Sequence, residues 1–321
     1  MALKQVLEVI ELLDHPRASG EMVKQALAQR EFLGSVEVVE VASERGKTDF
    51  ISFRFPGHSG KSRGGSAPTL GIIGRLGGIG ARPERLGLVS DGDGAVAAIA
   101  AAFRLGQMAA WGDVLSGDVI IATHICPDAP TRPHHPVPFM DSPVNIHTMN
   151  QHEVSPEMDG ILSIDTTRGN RVINHRGFAI SPTVKEGYIL RVSERLLDIM
   201  EIVTGRVPVV FPLTMQDITP YGNGLYHLNS ILQPSCVTTA PVVGVALTAE
   251  VPVPGCATGA SHAIDIELAA RFVIEVAKEF GNGTARLHDD EEFQRIVSLY
   301  GNMHHLQGPG RVSGSRCHPF R

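Results

Sequence analysis

The sequence predicts a single α/β domain with a doubly wound, mostly parallel sheet that carries helices on both faces. Its 321 residues are 43% apolar and 19% charged, a composition typical of a globular chain that can bury one substantial core. Short apolar runs rich in β-branched residues alternate with amphipathic segments of helical length. This alternation is typical of parallel sheets covered by helices. Because no Ser/Gly-rich or Pro-rich linker separates two halves, we expect one domain over residues 1–321.

The first 56 residues predict two helices followed by a pair of strands. Apolar side chains recur at helical spacing over residues 2–14, and residues 20–31 show a second helical pattern. Residues 36–41 and 50–55 are short runs rich in β-branched and aromatic residues, which favours two strands. Pro56-Gly57 is expected to end the second strand.

The core of the sheet is expected between residues 68 and 280. Strands are predicted at 70–73, 118–123, 161–164, 207–211 and 242–247, and helices at 94–110, 194–204, 222–232 and 263–280. Residues 126–143 are crowded with proline and histidine, which predicts a rigid loop after a strand. Residues 308–321 contain glycine, proline and arginine, which predicts an extended arm.

The charge of the chain disfavours nucleic acid as a partner. The formal net charge is −6, and the longest basic group is the short stretch Lys61-Ser62-Arg63. The sequence from Met1 runs directly into a charged helical pattern, so we expect a cytoplasmic protein without membrane association. Its four cysteines form no CxxC pair and are expected to be reduced. The expected partner is a small molecule or short peptide, with self-association into a homo-oligomer as a further expectation.

Two phosphate-binding patterns are present in incomplete form. Gly60-Lys61-Ser62 follows a strand, but Phe55 stands where the first glycine of a P-loop should be. Residues 92–97 match the dinucleotide pattern GxGxxA between a strand and a helix. However, Asp91 and Asp93 place negative charge where a pyrophosphate would bind, and no ribose-binding acid ends the next strand. The sequence therefore favours a different kind of site.

Four residues with metal-binding side chains lie at strand ends or helix starts: Asp91, His124, Asp165 and His262. In open α/β sheets, ligands bind outside the carboxyl ends of the strands, where such side chains can converge. Two carboxylates and two imidazoles form a suitable ligand set for zinc. A lone aspartate before a helix is usually an N-cap, and a lone histidine is usually only hydrogen-bonded. The four together predict a divalent metal site.

Several segments resemble zinc-dependent aminopeptidases and carboxypeptidases. Ser90–Val96 with the following Ala-rich helix is similar to the segment in which that family places a metal-bridging aspartate. Residues 164–167 and 261–265 look like its later aspartate ligand, here Asp165, and its final histidine ligand, here His262. Residues 181–189 are also similar to the corresponding stretch. The resemblance covers about residues 68–280 and implies a zinc-exopeptidase-like fold.

The chain departs from that family at two positions. Arg75 lies near the place of the first histidine ligand, and residues 123–128 stand in place of the paired glutamates. The whole chain also resembles a bacterial family catalogued as domain of unknown function 1177, notably in residues 1–20 and 123–127. That second resemblance implies no activity.

Our leading hypothesis is a metal-dependent hydrolase that cleaves an amide or peptide bond of a small amino-acid-like substrate. Asp93 or Asp128 would be the general base, and Arg75 would bind a substrate carboxylate. One alternative is a catalytically silent ligand-binding or assembly protein that keeps the fold. A second is a cysteine-based enzyme such as a racemase, using Cys126 or Cys236. Further ligand-type side chains lie in the predicted loop or after it: His134, His135, His147, His152 and Glu153.

Overall fold

The computed structural model describes residues 1–75, 88–133, 135, 139–167, 171–213, 228–251 and 261–307. The strands are β1 (Ser35–Ser43), β2 (Gly46–Phe55), β3 (Leu70–Gly74), β4 (Val119–Ile125), β5 (Thr131–Arg132), β6 (Phe139–Met140), β7 (Gly160–Thr166), β8 (Gly177–Ile180), β9 (Thr183–Lys185), β10 (Tyr188–Leu190) and β11 (Val242–Thr248). The α-helices are α1 (Leu3–Leu13), α2 (Gly20–Ala28), α3 (Asp93–Ala110), α4 (Ile146–Glu153), α5 (Glu194–Thr204), α6 (Ala263–Gly281) and α7 (Asp290–Tyr300). Short 3₁₀ helices are formed by Lys61–Arg63, Ser90–Gly92, Ser230–Cys236 and His304–Leu306.

Within the described residues, nine strands form one mixed sheet in the order β1-β2-β4-β3-β7-β11-β9-β10, with β8 also pairing with β11. Its centre is parallel, because β3 runs parallel to both β4 and β7, and β7 runs parallel to β11. Antiparallel strands flank this centre: β2 beside β4 on one side, and β8 and β9 beside β11 on the other. This arrangement confirms the predicted α/β class with a largely parallel sheet.

The two faces of the sheet are covered differently. The larger core cluster packs one face against α1, α2, α3, α5 and α6. The opposite face carries α4 over Phe50 of β2 and the 3₁₀ helix Ser230–Cys236 over β7 and β11. The strands alternate accordingly, since Ile121 packs with the helices of the first face and its neighbour Ile120 packs on the second. The layer of helices on each face agrees with the predicted architecture.

Helix α3 is central to this packing because it contacts the sheet, α1 and α6. Every side chain from Ala95 to Phe103 is buried, and six of these nine residues are alanine. Alanine favours helix and lets neighbouring backbones approach closely. The Ala-rich segment is therefore suited to a helix that has neighbours on several sides.

The N-terminal prediction is confirmed in type and order. Ser19 caps α2 by accepting a hydrogen bond from the amide of Met22 at 3.1 Å. Strands β1 and β2 form an antiparallel hairpin from Ser35 opposite Arg54 to Ser43 opposite Gly46.

None of the helices within the described ranges is long and apolar enough to cross a membrane.

Two predicted elements differ in the structure. Residues 207–211 are not a strand: Val207 is exposed, and only Val210 forms an isolated bridge, with Ile180. Pro208 and Pro212 lack the N–H that a strand ladder needs. In the predicted helix 222–232, the part up to residue 227 lies outside the described residues, and Ser230 begins a 3₁₀ helix that contains Pro234. The predicted arm 308–321 also lies outside the described residues.

Candidate functional site

Three ionisable residues lie side by side at the carboxyl edge of the parallel strands. Ile73 of β3 lies opposite Ala122 of β4 and Ser163 of β7. Two residues further along, the same register brings Arg75 between His124 and Asp165 on the same face. The amide of Arg75 donates to the carbonyl of Ile164 at 2.7 Å, so the pairing continues to this point. Arg75, His124 and Asp165 are all buried, with exposed fractions of 1, 1 and 3%.

The start of α3 brings two further carboxylates to this edge. The 3₁₀ turn Ser90–Gly92, which contains Asp91, contacts β7 and leads into α3, which begins at Asp93; both aspartates are buried. Gly94 permits this close approach, because a Cβ there would lie 2.9 Å from the carbonyl oxygen of Arg75. The Asp93 carboxylate accepts a hydrogen bond from the Ser261 hydroxyl at 2.5 Å. The positive end of the helix dipole favours negative charge at this position.

Glu153, the last residue of α4, contacts both Arg75 and His124. Its Oε2 lies 2.5 Å from Nη1 of Arg75, and its Oε1 lies 2.7 Å from Nδ1 of His124. Burial pushes the pKa of Glu153 up, but the Arg75 charge and the His124 hydrogen bond together hold that pKa below its ordinary value. Nη2 of Arg75 is buried and has no hydrogen-bond partner among the residues that the structure describes. The three side chains form a buried ionic cluster.

The cluster changes the interpretation of Arg75. The sequence predicted that its guanidinium would be available to a substrate carboxylate. In the structure one nitrogen is instead committed to Glu153, and the side chain is almost fully removed from solvent. The reason is the docking of α4 on β2 and β4, which brings a carboxylate to the end of β3.

The other predicted ligand and base residues are exposed or lie outside the described ranges. His262 is exposed at the N-cap of α6, and Asp128 is exposed beside Cys126 and Lys47. His135 and His147 are exposed, and His134 lies outside the described residues. His152 is exposed and stacks on Phe50, with ring centroids 4.5 Å apart.

The metal set of Asp91, His124, Asp165 and His262 stays a prediction. Among the side chains that the structure describes, no three from histidine, cysteine, aspartate and glutamate are grouped so that they could hold one ion. Asp91, His124 and Asp165 nevertheless share the carboxyl edge of neighbouring strands or the helix start that rests on it.

Cys126 is poorly suited to act as a nucleophile. Burial, followed by the charge of Asp128, raises the pKa of the Cys126 thiol to about 12. Its Sγ donates to the carbonyl of Lys47 at 3.3 Å. Because the thiolate is the reactive species, this environment disfavours the racemase alternative at Cys126. Cys236 is half-buried, and Cys256 and Cys317 lie outside the described residues.

Glu153 is the member of this cluster whose contacts the sequence did not reveal. It appeared there only as one of several ligand-type side chains after the proline-rich loop. A usable signal was present: Asn145 is an N-cap residue type, and Met149, Asn150 and Glu153 are spaced to share one helix face. All three are buried in the structure. A glutamate on the buried face of a short helix requires a cationic or hydrogen-bonding partner.

The model of a family described as "Protein of unknown function (DUF1177)" matches residues 39–310. The chain belongs to this family. No curated protein matches the sequence. Membership agrees with the resemblance found in residues 1–20 and 123–127 and adds no activity.

Solved structures show what the family's fold is similar to. The glutaminyl cyclase of an Acidobacteriales bacterium matches with a TM-score of 0.50 and 12% identity, over 88% of this chain and 94% of that chain. The leucine aminopeptidase of Caenorhabditis elegans matches with a TM-score of 0.44 and 13% identity, over 84 and 65% of the two chains. A mutant tomato leucine aminopeptidase matches with a TM-score of 0.48 and 12% identity, over 85% of this chain and 61% of that chain. The chain thus spans less than two thirds of either aminopeptidase, and the similarity to the cyclase shows a shared α/β fold.

Proposed function

We propose that this protein is a metal-dependent, hydrolase-like enzyme that acts on an amide or peptide bond of a small amino-acid-like substrate. The observation that carries the proposal is that Asp91, His124 and Asp165 are all buried at the carboxyl edge of β3, β4 and β7. This edge is where open α/β sheets bind ligands. The fold similarity to a glutaminyl cyclase and the sequence resemblance to zinc-dependent aminopeptidases both support it.

The side chains at this edge are of the types that bind zinc, although no three of those described are grouped so that they could hold one ion. Histidines that ligate metals usually donate their other ring N–H to a carboxylate, and Nδ1 of His124 lies 2.7 Å from Oε1 of Glu153. Asp91 and Asp165 would supply carboxylate oxygens, and His262 would complete the set from the start of α6. A bound divalent ion would supply Lewis-acid polarisation of the substrate carbonyl.

The remaining polar groups fit binding and proton transfer. Asp93 suits the base role better than Asp128, because Asp93 is buried beside Asp91 whereas Asp128 is exposed beside Lys47. The Ser261 hydroxyl donates to Asp93 and orients its carboxylate. Nη2 of Arg75 has no hydrogen-bond partner among the described residues, so it is the one Arg75 donor that we propose for a carboxylate of a substrate reaching this buried edge.

The proposal is tested by metal content and hydrolysis together. The purified protein would be incubated with zinc, manganese or cobalt, desalted and submitted to elemental analysis, beside Asp91→Asn and Asp165→Asn. We expect about one or two ions per chain in the wild type and loss of most of that metal in both variants. Asp198→Asn on the exposed side of α5 is the matched control and should keep its metal. Amino-acid amides and dipeptides would then be screened for cleavage. A folded wild type that takes up no ion and cleaves no substrate contradicts the proposal.

A second candidate is a ligand-binding protein without catalytic activity, and the position of Arg75 favours it. The permanent positive charge of Arg75 lies between His124 and Asp165 and weakens the affinity of these two residues for a metal ion. Calorimetric binding of an amino-acid-like ligand, without metal uptake or turnover, would support this candidate over the enzyme.

A further inference from the structure

The carboxylate of Glu153 has a different donor at each oxygen. Oε2 accepts from Nη1 of Arg75 at 2.5 Å, and Oε1 is 2.7 Å from Nδ1 of His124. The guanidinium has only N–H donors and no acceptor, so in this contact Arg75 must donate and Glu153 must accept. The side chains are 1, 0 and 2% exposed for Arg75, Glu153 and His124, which leaves solvent little opportunity to replace either bond.

This arrangement dictates the protonation pattern of the imidazole. An ionised carboxylate only accepts hydrogen bonds, so the atom facing Oε1 must carry a proton. In a neutral imidazole one nitrogen donates and the other accepts. We propose that Glu153, locked by Arg75, is a positioning residue that holds His124 in the Nδ1–H tautomer and keeps a lone pair on Nε2.

The surrounding packing fixes the orientation of the ring as well. The Phe50 ring lies 5.5 Å from the His124 ring, centroid to centroid, and is itself stacked on His152. A carboxylate that orients an imidazole in this way selects its tautomer, as in hydrolase triads and behind the histidines that ligate metals. The use of Nε2 as the metal-binding atom rests on the proposed function, whereas the tautomer itself does not.

The isosteric variant Glu153→Gln gives a sharp test. Arg75 only donates, so the glutamine oxygen must face Arg75 and its NH₂ group must face Nδ1 of His124. Nδ1 then has to accept, and the ring proton moves to Nε2. The substitution should therefore invert the tautomer while keeping the shape of the side chain.

The measurement is ¹H–¹⁵N long-range NMR of the imidazole rings at pH 8, in metal-free protein without substrate. The His124 signals are assigned by their loss in His124→Gln. We expect a protonated Nδ1 and an unprotonated Nε2 in the wild type, and the reverse in Glu153→Gln. Glu157→Gln, at an exposed glutamate that pairs with Arg54, is the control and should leave the wild-type pattern intact.

A wild-type ring protonated at Nε2, or at both nitrogens, overturns the inference, as does an unchanged tautomer in a folded Glu153→Gln protein. If that variant does not fold, the wild-type spectrum alone decides. When the wild type binds metal, Glu153→Gln should weaken its affinity by about 10- to 100-fold. A protein with the expected tautomer but no metal uptake would sink the proposed function and leave this inference standing.

Discussion

A Cβ atom at position 94 would lie 2.7 Å from the carbonyl oxygen of Ile164, so the first turn of α3 rests directly on the carboxyl end of β7. Real Cβ atoms essentially never approach a backbone oxygen so closely. The position of Asp91 and Asp93 at the carboxyl end of β7 therefore depends on a glycine at position 94.

We expect Gly94→Ala to lower the free energy of unfolding by about 1–3 kcal/mol, although alanine favours helix over glycine. The cost arises because the clash is with backbone, which cannot rotate away. Urea denaturation measures it. Gly244→Ala is the comparison, since its Cβ would meet only side-chain atoms of Phe211 and Ile231 at 3.0 Å or more. Equal costs at the two positions would contradict the backbone explanation.

Removal of the Glu153 carboxylate should destabilise the protein strongly. Glu153→Ala leaves the guanidinium of Arg75 buried and unpaired, which costs about 3–5 kcal/mol. Glu157→Ala removes an exposed partner of Arg54 and should cost less than about 1 kcal/mol. Chemical denaturation of both variants would test the difference, and similar midpoints would show that the buried cluster contributes no more than a surface pair.

Cys126 should react slowly with alkylating reagents in the folded protein. Burial and the Asp128 charge raise its pKa to about 12, so very little thiolate is present at pH 8. Iodoacetamide labelling followed by peptide mass spectrometry should show Cys126 unmodified in buffer and modified in urea. Half-buried Cys236 serves as the internal comparison. Rapid labelling of Cys126 under native conditions would contradict this prediction and would support the alternative of a cysteine-based enzyme.

Asp118 should stabilise the loop after β2 in a pH-dependent manner. Burial raises the pKa of Asp118, but hydrogen bonds from the Ser62 amide and hydroxyl and from the Gly57 amide outweigh it, and the net pKa is lowered. The group therefore stabilises the folded state above the unfolded-chain value of about 3.9, and this contribution is lost as the pH falls through the lower folded value.

The variant Asp118→Asn should accordingly cost about 1–3 kcal/mol near pH 7, since it loses charge-assisted hydrogen bonds. Its difference from the wild type in urea denaturation should shrink as the pH is lowered below 4. A difference independent of pH would exclude the carboxylate charge as the cause. The Ser62 amide of the Gly60-Lys61-Ser62 segment therefore donates to a protein carboxylate and is not available to a phosphate.

The periodic elements were predictable because their burial pattern is local. Helices α1, α3 and α6 and strands β3, β4, β7 and β11 all follow from apolar spacing within a few residues. The short strands β8, β9 and β10 were not predicted, because runs of three or four residues become strands only through pairing with β11 or with each other. Residues 207–211 have a strand-like composition, but Pro208 within them and Pro212 after them lack the N–H that a strand ladder needs.

The candidate site was predictable in place but not in its contacts. Asp91, His124 and Asp165 were identified because they follow strands or precede a helix, and the parallel register brings those ends together. The pairing of Arg75 with Glu153 joins residues 78 positions apart. It depends on how α4 docks on the sheet, which no local pattern encodes.

Helix α1 packs against α6 as well as α3, and the amide of Ala2 donates to Glu267 at 3.0 Å. About 250 residues separate these two helices along the chain. At synthesis rates of about 5–20 residues per second, the apolar stripe of Val6, Val9 and Leu13 would wait roughly 12–50 s for its final neighbour. Strand β2 likewise waits for β4. During translation this apolar stripe is therefore exposed to chaperones and to aggregation until α6 has been synthesised.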